Sequence, residues 1–318
     1  MLSKIATVLA FSATAFAAPT LNQSARVRYA ILPLSLPSGL TRQCRTCGTT
    51  VTPEQVATHN KEFETLLAAK GKSLADYSRT SRTAAGARIS QTVNVYFHVI
   101  YASESIDDGY IPDSQISDQI DVMNAAYADS GISFKLAGTD RTKQATWYVS
   151  FNTATDGTSA QTQMKTQLRK GGAADLNVYT VGFKDGSGLL GYSTFPSDYS
   201  SDPDNDGCVI LYSSLPGGSA TPFDEGQTLT HEAGHWFGLY HVFDDYGSSC
   251  DDYDQVSDTP PQKTATSGCP TGKDSCSGGG VDSIHNYMDY SDDSCMTEFT
   301  EGQATRMAAQ VGMYRGLE

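Results

Sequence analysis

Three of the chain's six histidines fall within eleven residues, His231-Glu232-Ala233-Gly234-His235-Trp236-Phe237-Gly238-Leu239-Tyr240-His241. Helix periodicity is readable over Gln227–Leu239. On a helix, positions four apart share a face, so His231 and His235 present their imidazoles side by side and can grip one metal ion. Glu232 follows the first histidine directly and can hold a water at that ion, taking its proton as a general base. Gly238 lies three past His235 and permits a left-handed exit from the helix. The chain can then return His241 as a third nitrogen ligand. Three neutral imidazoles leave one coordination position open, which suits catalytic rather than structural zinc. The plain alternative is a helix with three unrelated histidines. Half of the chain's histidines in this extended spacing argue against it.

These side chains need a scaffold. The 318 residues are 39% hydrophobic and 18% charged, which suits one or two folded domains and excludes wholesale disorder. Val93, Val95, Phe97 and Val99 alternate with polar neighbours over Thr92–Ile100, the period of a strand. A helix follows from Asp113 to about Ser130, with Ile116, Ile120, Met123 and Tyr127 on one face and Gly131 as its stop. Further strands are expected over Ile132–Leu136 and Leu176–Phe183, with a helix over Ser159–Lys170 and a short apolar run at Cys208–Tyr212. Strands alternating with helices predict an α/β layer. Beyond His241 the sequence reads as loop to about Ser294. A last helix starts near Thr300, where Thr300 and Gln303 can form a capping box.

The N-terminus reads as an address label. Lys4, the apolar stretch Ile5–Phe16 and Ala15-Phe16-Ala17 predict a signal peptide over 1–17 and hence an oxidising, extracellular destination. No later apolar run is long enough to span a membrane. Residues 1–85 hold ten basic and four acidic residues, net +6; the remainder holds 12 and 32, net -20. Opposite charge favours docking of the leader on the body. The whole carries -14, a poor match for nucleic acid or anionic lipid. Ser78–Ser90 is small, polar and basic, with Arg79, Arg82 and Arg88, and reads as an exposed, cleavable linker. The division expected is a pro-segment and linker over 18–85 and a catalytic domain over 86–318, its upper part ending near residue 241 and its lower part spanning 242–318. The sequon Asn22-Gln23-Ser24 falls in the leader.

The extended histidine motif is that of the metzincin metalloproteases, whose second signature is a methionine turn beneath the zinc. Met288 lies 47 residues after His241, within His285-Asn286-Tyr287-Met288-Asp289-Tyr290. Together with Gly191-Tyr192-Ser193-Thr194-Phe195-Pro196, Leu215-Pro216-Gly217-Gly218-Ser219 and Ser257-Asp258-Thr259-Pro260, these stretches resemble the pappalysin family in its short, secreted, ulilysin-like form. The resemblance covers about residues 90–318 and implies an α/β metzincin endopeptidase acting on proteins or peptides. A mixed sheet and helices would form its upper part, a loop-rich, disulfide-linked region its lower part. It implies zinc on His231, His235 and His241, Glu232 as base, and Tyr290 as the donor to the oxyanion of the tetrahedral intermediate. It implies an edge strand near Gly188–Thr194 for the substrate. A monomer is expected.

Seven cysteines leave at least one without an intramolecular disulfide partner. Four of them, Cys250, Cys269, Cys276 and Cys295, allow three pairings; the family pattern implies Cys250–Cys276 and Cys269–Cys295. Arg45-Thr46-Cys47-Gly48 resembles a cysteine switch, in which Cys47 closes the open zinc position of the latent form. The rival is a disulfide of Cys44 with Cys47, or of either with Cys208. Ser193 stands where relatives often carry a cysteine, so Cys208 lacks that partner. Asp202-Pro203-Asp204-Asn205-Asp206-Gly207 opens like a calcium loop, but Ser213 occupies the twelfth position and excludes a full EF-hand. Asp244, Asp245, Asp251, Asp252, Asp254 and Asp258 form a second acidic cluster, where the resemblance implies calcium. His98 reads as a packed or surface histidine and His285 as a support for the turn. Two other readings compete: a secreted calcium-binding adhesion module with structural zinc, and a zinc amidase on small substrates. An intact Glu232 and an open metal position oppose the first; the methionine turn and the edge strand oppose the second.

Overall fold

The computed structural model of the chain describes residues 44–80, 91–149, 159–183 and 188–317. The expected signal peptide, the Asn22 sequon and linker residues 81–90 lie outside these.

The described leader folds. Strand β1 is Thr46–Cys47, and helices α1 and α2 are Pro53–Ala69 and Leu74–Thr80. Helix α1 starts where Thr52 and Gln55 form a capping box ahead of Pro53, and it buries Val56, Phe63 and Leu67. The expected linker therefore begins later than Ser78, because Ser78–Thr80 close α2.

The body opens with β2 (Gln91–Tyr101), whose Val93, Val95, Phe97 and Val99 are all fully buried. Helix α3 (Asp113–Ala126) ends before Ser130, because a 3-10 turn over Ala128–Ser130 tightens the exit and Gly131, at φ +80°, reverses the chain. Strand β3 (Ile132–Lys143) runs well past Leu136, since its backbone stays paired in parallel with β2, across a register shift just after Leu136, once its apolar pattern has ended. Helices α4 (Ala145–Val149) and α5 (Ser159–Leu168) precede β4 (Leu176–Val181), β5 (Leu189–Ser193) and β6 (Cys208–Leu211). Helix α6 (Gln227–Trp236) and, after a long loop region, α7 (Glu301–Tyr314) complete the chain. The capping box of Thr300 and Gln303 starts α7.

The sheet order is β1-β5-β6-β4-β2-β3; β5 runs antiparallel to β6 and the other neighbours are parallel. Helix α6 buries Leu229, Ala233, Trp236 and Phe237 in one core with Phe97, Val178 and Ile210 of the sheet and Met307 and Val311 of α7. That wedge fixes the helix carrying His231 and His235. The loop region after α6 has little regular structure and is tied by disulfides Cys250–Cys276 and Cys269–Cys295, each closing 26 residues.

Candidate metal centre and active site

Helix α6 ends as its glycine requires. Gly238 adopts φ +94°, its N–H bonds to the His235 carbonyl (2.8 Å), and the Leu239 N–H bonds to Gly234 (2.9 Å). This exit swings His241 back beside the helix. Nε2 of His241 lies 3.2 Å from Nε2 of His231 and 3.2 Å from that of His235. Nitrogens bound tetrahedrally at about 2.0–2.1 Å from one ion stand about 3.3 Å apart, so the three imidazoles fit a shared metal. Their other nitrogens are committed elsewhere. Nδ1 of His231 donates to the Tyr287 carbonyl (2.7 Å), that of His235 to Leu239 (2.8 Å), and that of His241 to Asp245 (2.5 Å). These partners leave the Nε2 lone pairs free for a metal. Burial drives His231 well below the ordinary imidazole range and His235 down to about 3, which keeps both neutral as ligands must be.

Met288 is fully buried beneath this helix. A side chain on Gly234 would meet its sulfur at 2.4 Å, so the glycine within the motif admits the methionine. Asn286 shapes the turn by accepting the Met288 N–H (2.9 Å), and it pairs with Gln303 of α7 through both amide groups (2.8 and 3.0 Å). His285 helps close it, with Nδ1 donating to the Cys295 carbonyl (2.7 Å).

Glu232 is buried against β5, where a Cβ on Gly191 would come within 2.9 Å of its carboxylate. Burial pushes it up to about 8, against the pull of the Cys47 thiol and the Arg45 charge. The leader enters here. Strand β1 pairs with β5, Cys47 opposite Gly191, so the expected substrate edge is occupied. The Cys47 thiol donates to Glu232 (3.4 Å) and its sulfur lies 3.6 Å from Nε2 of His235. Cys47 and the three histidines form one buried group whose ligand atoms all lie within 4.8 Å of one another. The Tyr290 hydroxyl accepts the Cys47 N–H (3.1 Å) and donates to the Cys47 carbonyl (3.4 Å). Burial holds Tyr290 well above the ordinary phenol range, so it stays a donor.

Cys47 and Cys208 are free thiols, so neither rival disulfide involving them forms. Cys208 sits 3.4 Å from Ser193, and Cys44 lies against Ser267 (3.7 Å).

The family model described as peptidase M43, pregnancy-associated plasma protein-A, matches residues 173–312. Extracellular metalloprotease 1 of Coccidioides posadasii is 52% identical over 226 residues, 70% of this chain and 78% of that protein. An extracellular metalloprotease of Sordaria macrospora is 49% identical over 240 residues, 73% of this chain and 80% of its own. The chain belongs to the pappalysin family of metallopeptidases. The fold agrees. A promirolysin mutant from Tannerella forsythia aligns with TM-score 0.65 and 30% identity over 86% of this chain and 97% of that one. Mature mirolysin from the same organism, with a cleaved peptide, aligns with TM-score 0.58 and 29% identity over 72% and 98%.

This pappalysin chain is an enzyme with a catalytic metal; its relatives are metalloproteases and do not support the adhesion reading. Other acids seen in the sequence are spent on structure. Asp206 accepts from Trp236 (3.0 Å), Thr194 (3.0 Å) and both Arg315 terminal nitrogens (3.1 and 3.0 Å). Asp244 takes the N–H groups of Tyr246, Ser248 and Ser249 (2.8–2.9 Å), and Asp258 takes the Gly302 N–H at the start of α7 (2.7 Å). His98 is fully buried between Asp140 (2.9 Å) and Asn177 (3.0 Å).

Sequence reasoning missed Asp293 as a site residue. It lies beyond the methionine turn, and its carboxylate accepts the Glu225 and Gln227 N–H groups (2.9 and 3.3 Å), anchoring the start of α6. Its other oxygen pairs with Arg45 of the leader; the two side chains are 0% and 2% exposed. Phe223 flanks the guanidinium at 5.1 Å. Arg45 immediately precedes β1 and Cys47 ends it, and both side chains are buried against the body. Only the acid five residues past Met288, beside another acid, signalled this site.

Proposed function

We propose that the chain is a secreted zinc endopeptidase held latent by its own leader, and that its cleft favours a basic residue next to the bond it cuts. The observation that carries this is the buried group of His231, His235, His241 and Cys47 with Glu232 beside it. Three imidazoles and a thiolate form a borderline-soft, four-donor set of the kind zinc prefers. Secretion is supported by the extracellular relatives. The division into signal peptide 1–17, pro-segment 18–85 and catalytic domain 86–318 is part of the proposal. Its support is the comparison with a pro-form, which extends the shared span from 72% to 86% of the chain.

Bound zinc would polarise the attacking water and the scissile carbonyl. The chain's own residues do the rest. With β1 gone, β5 offers its edge to an extended peptide. Glu232 accepts the proton of the attacking water and passes it to the leaving amine. The Tyr290 hydroxyl, freed from Cys47, donates to the oxyanion of the tetrahedral intermediate. Asp293 is buried, and Arg45 is the cation it holds in the latent form. Losing Arg45 leaves a buried charge without a partner, a cost that a basic substrate side chain relieves. Asp293→Asn keeps an oxygen for the α6 N–H groups and removes the charge. It is expected to lower kcat/KM for an arginine peptide by about tenfold or more and to leave a leucine analogue within about twofold. Equal losses on both peptides would remove the pocket.

Calcium enters the proposal through Asp254. The residue is 5% exposed; its carboxyl accepts from the Val256 N–H (3.1 Å) and the Thr259 hydroxyl (2.7 Å), sits beside Asp252 and is raised by burial to about 8. The test of both metals is stepwise removal and return. Chelation is expected to abolish cleavage and lower the melting temperature. Zinc alone should restore cleavage, and calcium should raise the melting temperature further. Cleavage that survives complete zinc removal would sink the reading.

A further inference from the structure

The three metal-facing imidazoles are not held alike. His231 and His235 donate to neutral carbonyls, whereas His241 donates to a carboxylate, Asp245 Oδ1, at 2.5 Å, with side chains 1% and 3% exposed. A charged acceptor fixes the ring and makes the opposite nitrogen a stronger donor to a cation. The second oxygen of Asp245 accepts the Tyr253 hydroxyl (2.9 Å) and the Val51 N–H of the leader (3.3 Å). The Tyr253 hydroxyl also makes a short contact with the Val51 carbonyl. One hydroxyl carries one proton, so the leader shares with Asp245 what Tyr253 has to give. Val51 and Tyr253 belong to an apolar cluster with Val56, Phe195 and Tyr240, away from bulk water.

We propose that Asp245 is the positioning carboxylate of the metal centre, holding His241 in its metal-binding orientation, and that Tyr253 acts through Asp245. This rests on the metallopeptidase reading above. The leader then touches the centre twice: Cys47 faces the open metal position, and Val51, four residues on, braces the carboxylate behind His241. When the leader departs, Asp245 loses the Val51 donor and keeps an undivided hydrogen bond from the Tyr253 hydroxyl, so its place is kept in the active enzyme.

The test uses the full chain and zinc itself. Zinc dissociation constants are measured by competition with a chromogenic chelator, the visible spectrum is recorded with cobalt in place of zinc, and the melting temperature is taken without metal. Asp245→Asn is isosteric but uncharged, and it turns an amide towards Tyr253 and Val51. It is expected to weaken zinc binding by about 10–100-fold and to change the cobalt spectrum, with the metal-free melting temperature preserved. Tyr253→Phe should cost less, and the double variant should lose no more than Asp245→Asn alone. Wild-type zinc affinity in Asp245→Asn would overturn the proposal. So would losses that multiply in the double variant. A wild-type chain that takes up no zinc would overturn this inference and the metallopeptidase reading together. Normal zinc uptake with unaltered variants would overturn this inference alone.

Discussion

Glu232→Gln, prepared with the leader removed, is expected to cleave an arginine-containing peptide about 10³–10⁴-fold more slowly in kcat/KM than the parent enzyme. Glutamine has the shape of glutamate, so its packing against Gly191 survives. It can still hold a water through its amide oxygen, but it cannot take that water's proton. Zinc content should not change, because the metal-facing side chains of the body are His231, His235 and His241 and do not include Glu232. The pairing of lost turnover with retained zinc is the signature of a base. Loss of both would make Glu232 a structural element of α6. A rate within about tenfold of the parent, with contaminants excluded, would assign the proton to another group.

The parts of this site that follow from local geometry were open to sequence reading. His231 and His235 share a face because helices repeat every 3.6 residues, and Gly238 marks the exit because φ +94° suits glycine. The alternation in β2 and the capping box of α7 are local in the same sense. What escaped depends on pairing across long separations. Strand β1 is only Thr46–Cys47, too short for any period, and it is a strand because Gly191, 144 residues on, lies beside it. Asp245 read as one member of an acidic cluster, and Asp293 stands beside another acid with no motif to mark it. Their differing fates, one behind a histidine and one beneath an arginine, come from the folding of loops with no repeat. Strand β3 illustrates a third case: its second half is polar and half-buried on an edge of the sheet, so hydrophobic pattern ends before the strand does. Helix α1 did carry local signals in Pro53 and the Thr52–Gln55 box. Its buried stripe of Val56, Phe63 and Leu67 is thin, and the charge of the leader is the more conspicuous feature.

Cys47→Ser in the uncut, full-length chain is expected to release peptidase activity that the parent lacks, and Arg45→Ala is expected to release more when added to it. The leader holds the cleft at two chemically different points. Cys47 offers a sulfur to the metal; a serine hydroxyl is a far weaker ligand. Arg45 pairs with Asp293 at a site closed to water, and breaking such a buried pair costs about 3–5 kcal/mol. That cost would raise the fraction of chains with an open cleft by about 10²- to 4 × 10³-fold. The leader stays tethered by α1, whose Phe63 and Leu67 pack with Ala309 of α7, so the single variant should remain below the fully processed enzyme. Activity per zinc should therefore rise from parent to Cys47→Ser to the double variant, each measured with the linker intact by gel and mass. Adding Asp293→Asn to Cys47→Ser should also open the cleft, but such chains should cut the arginine peptide poorly, since the same carboxylate serves leader and substrate. A silent double variant that becomes active only once its linker is cut would mean that the helices cover the cleft by bulk. Cys47 would then be a buried thiol near the metal and nothing more.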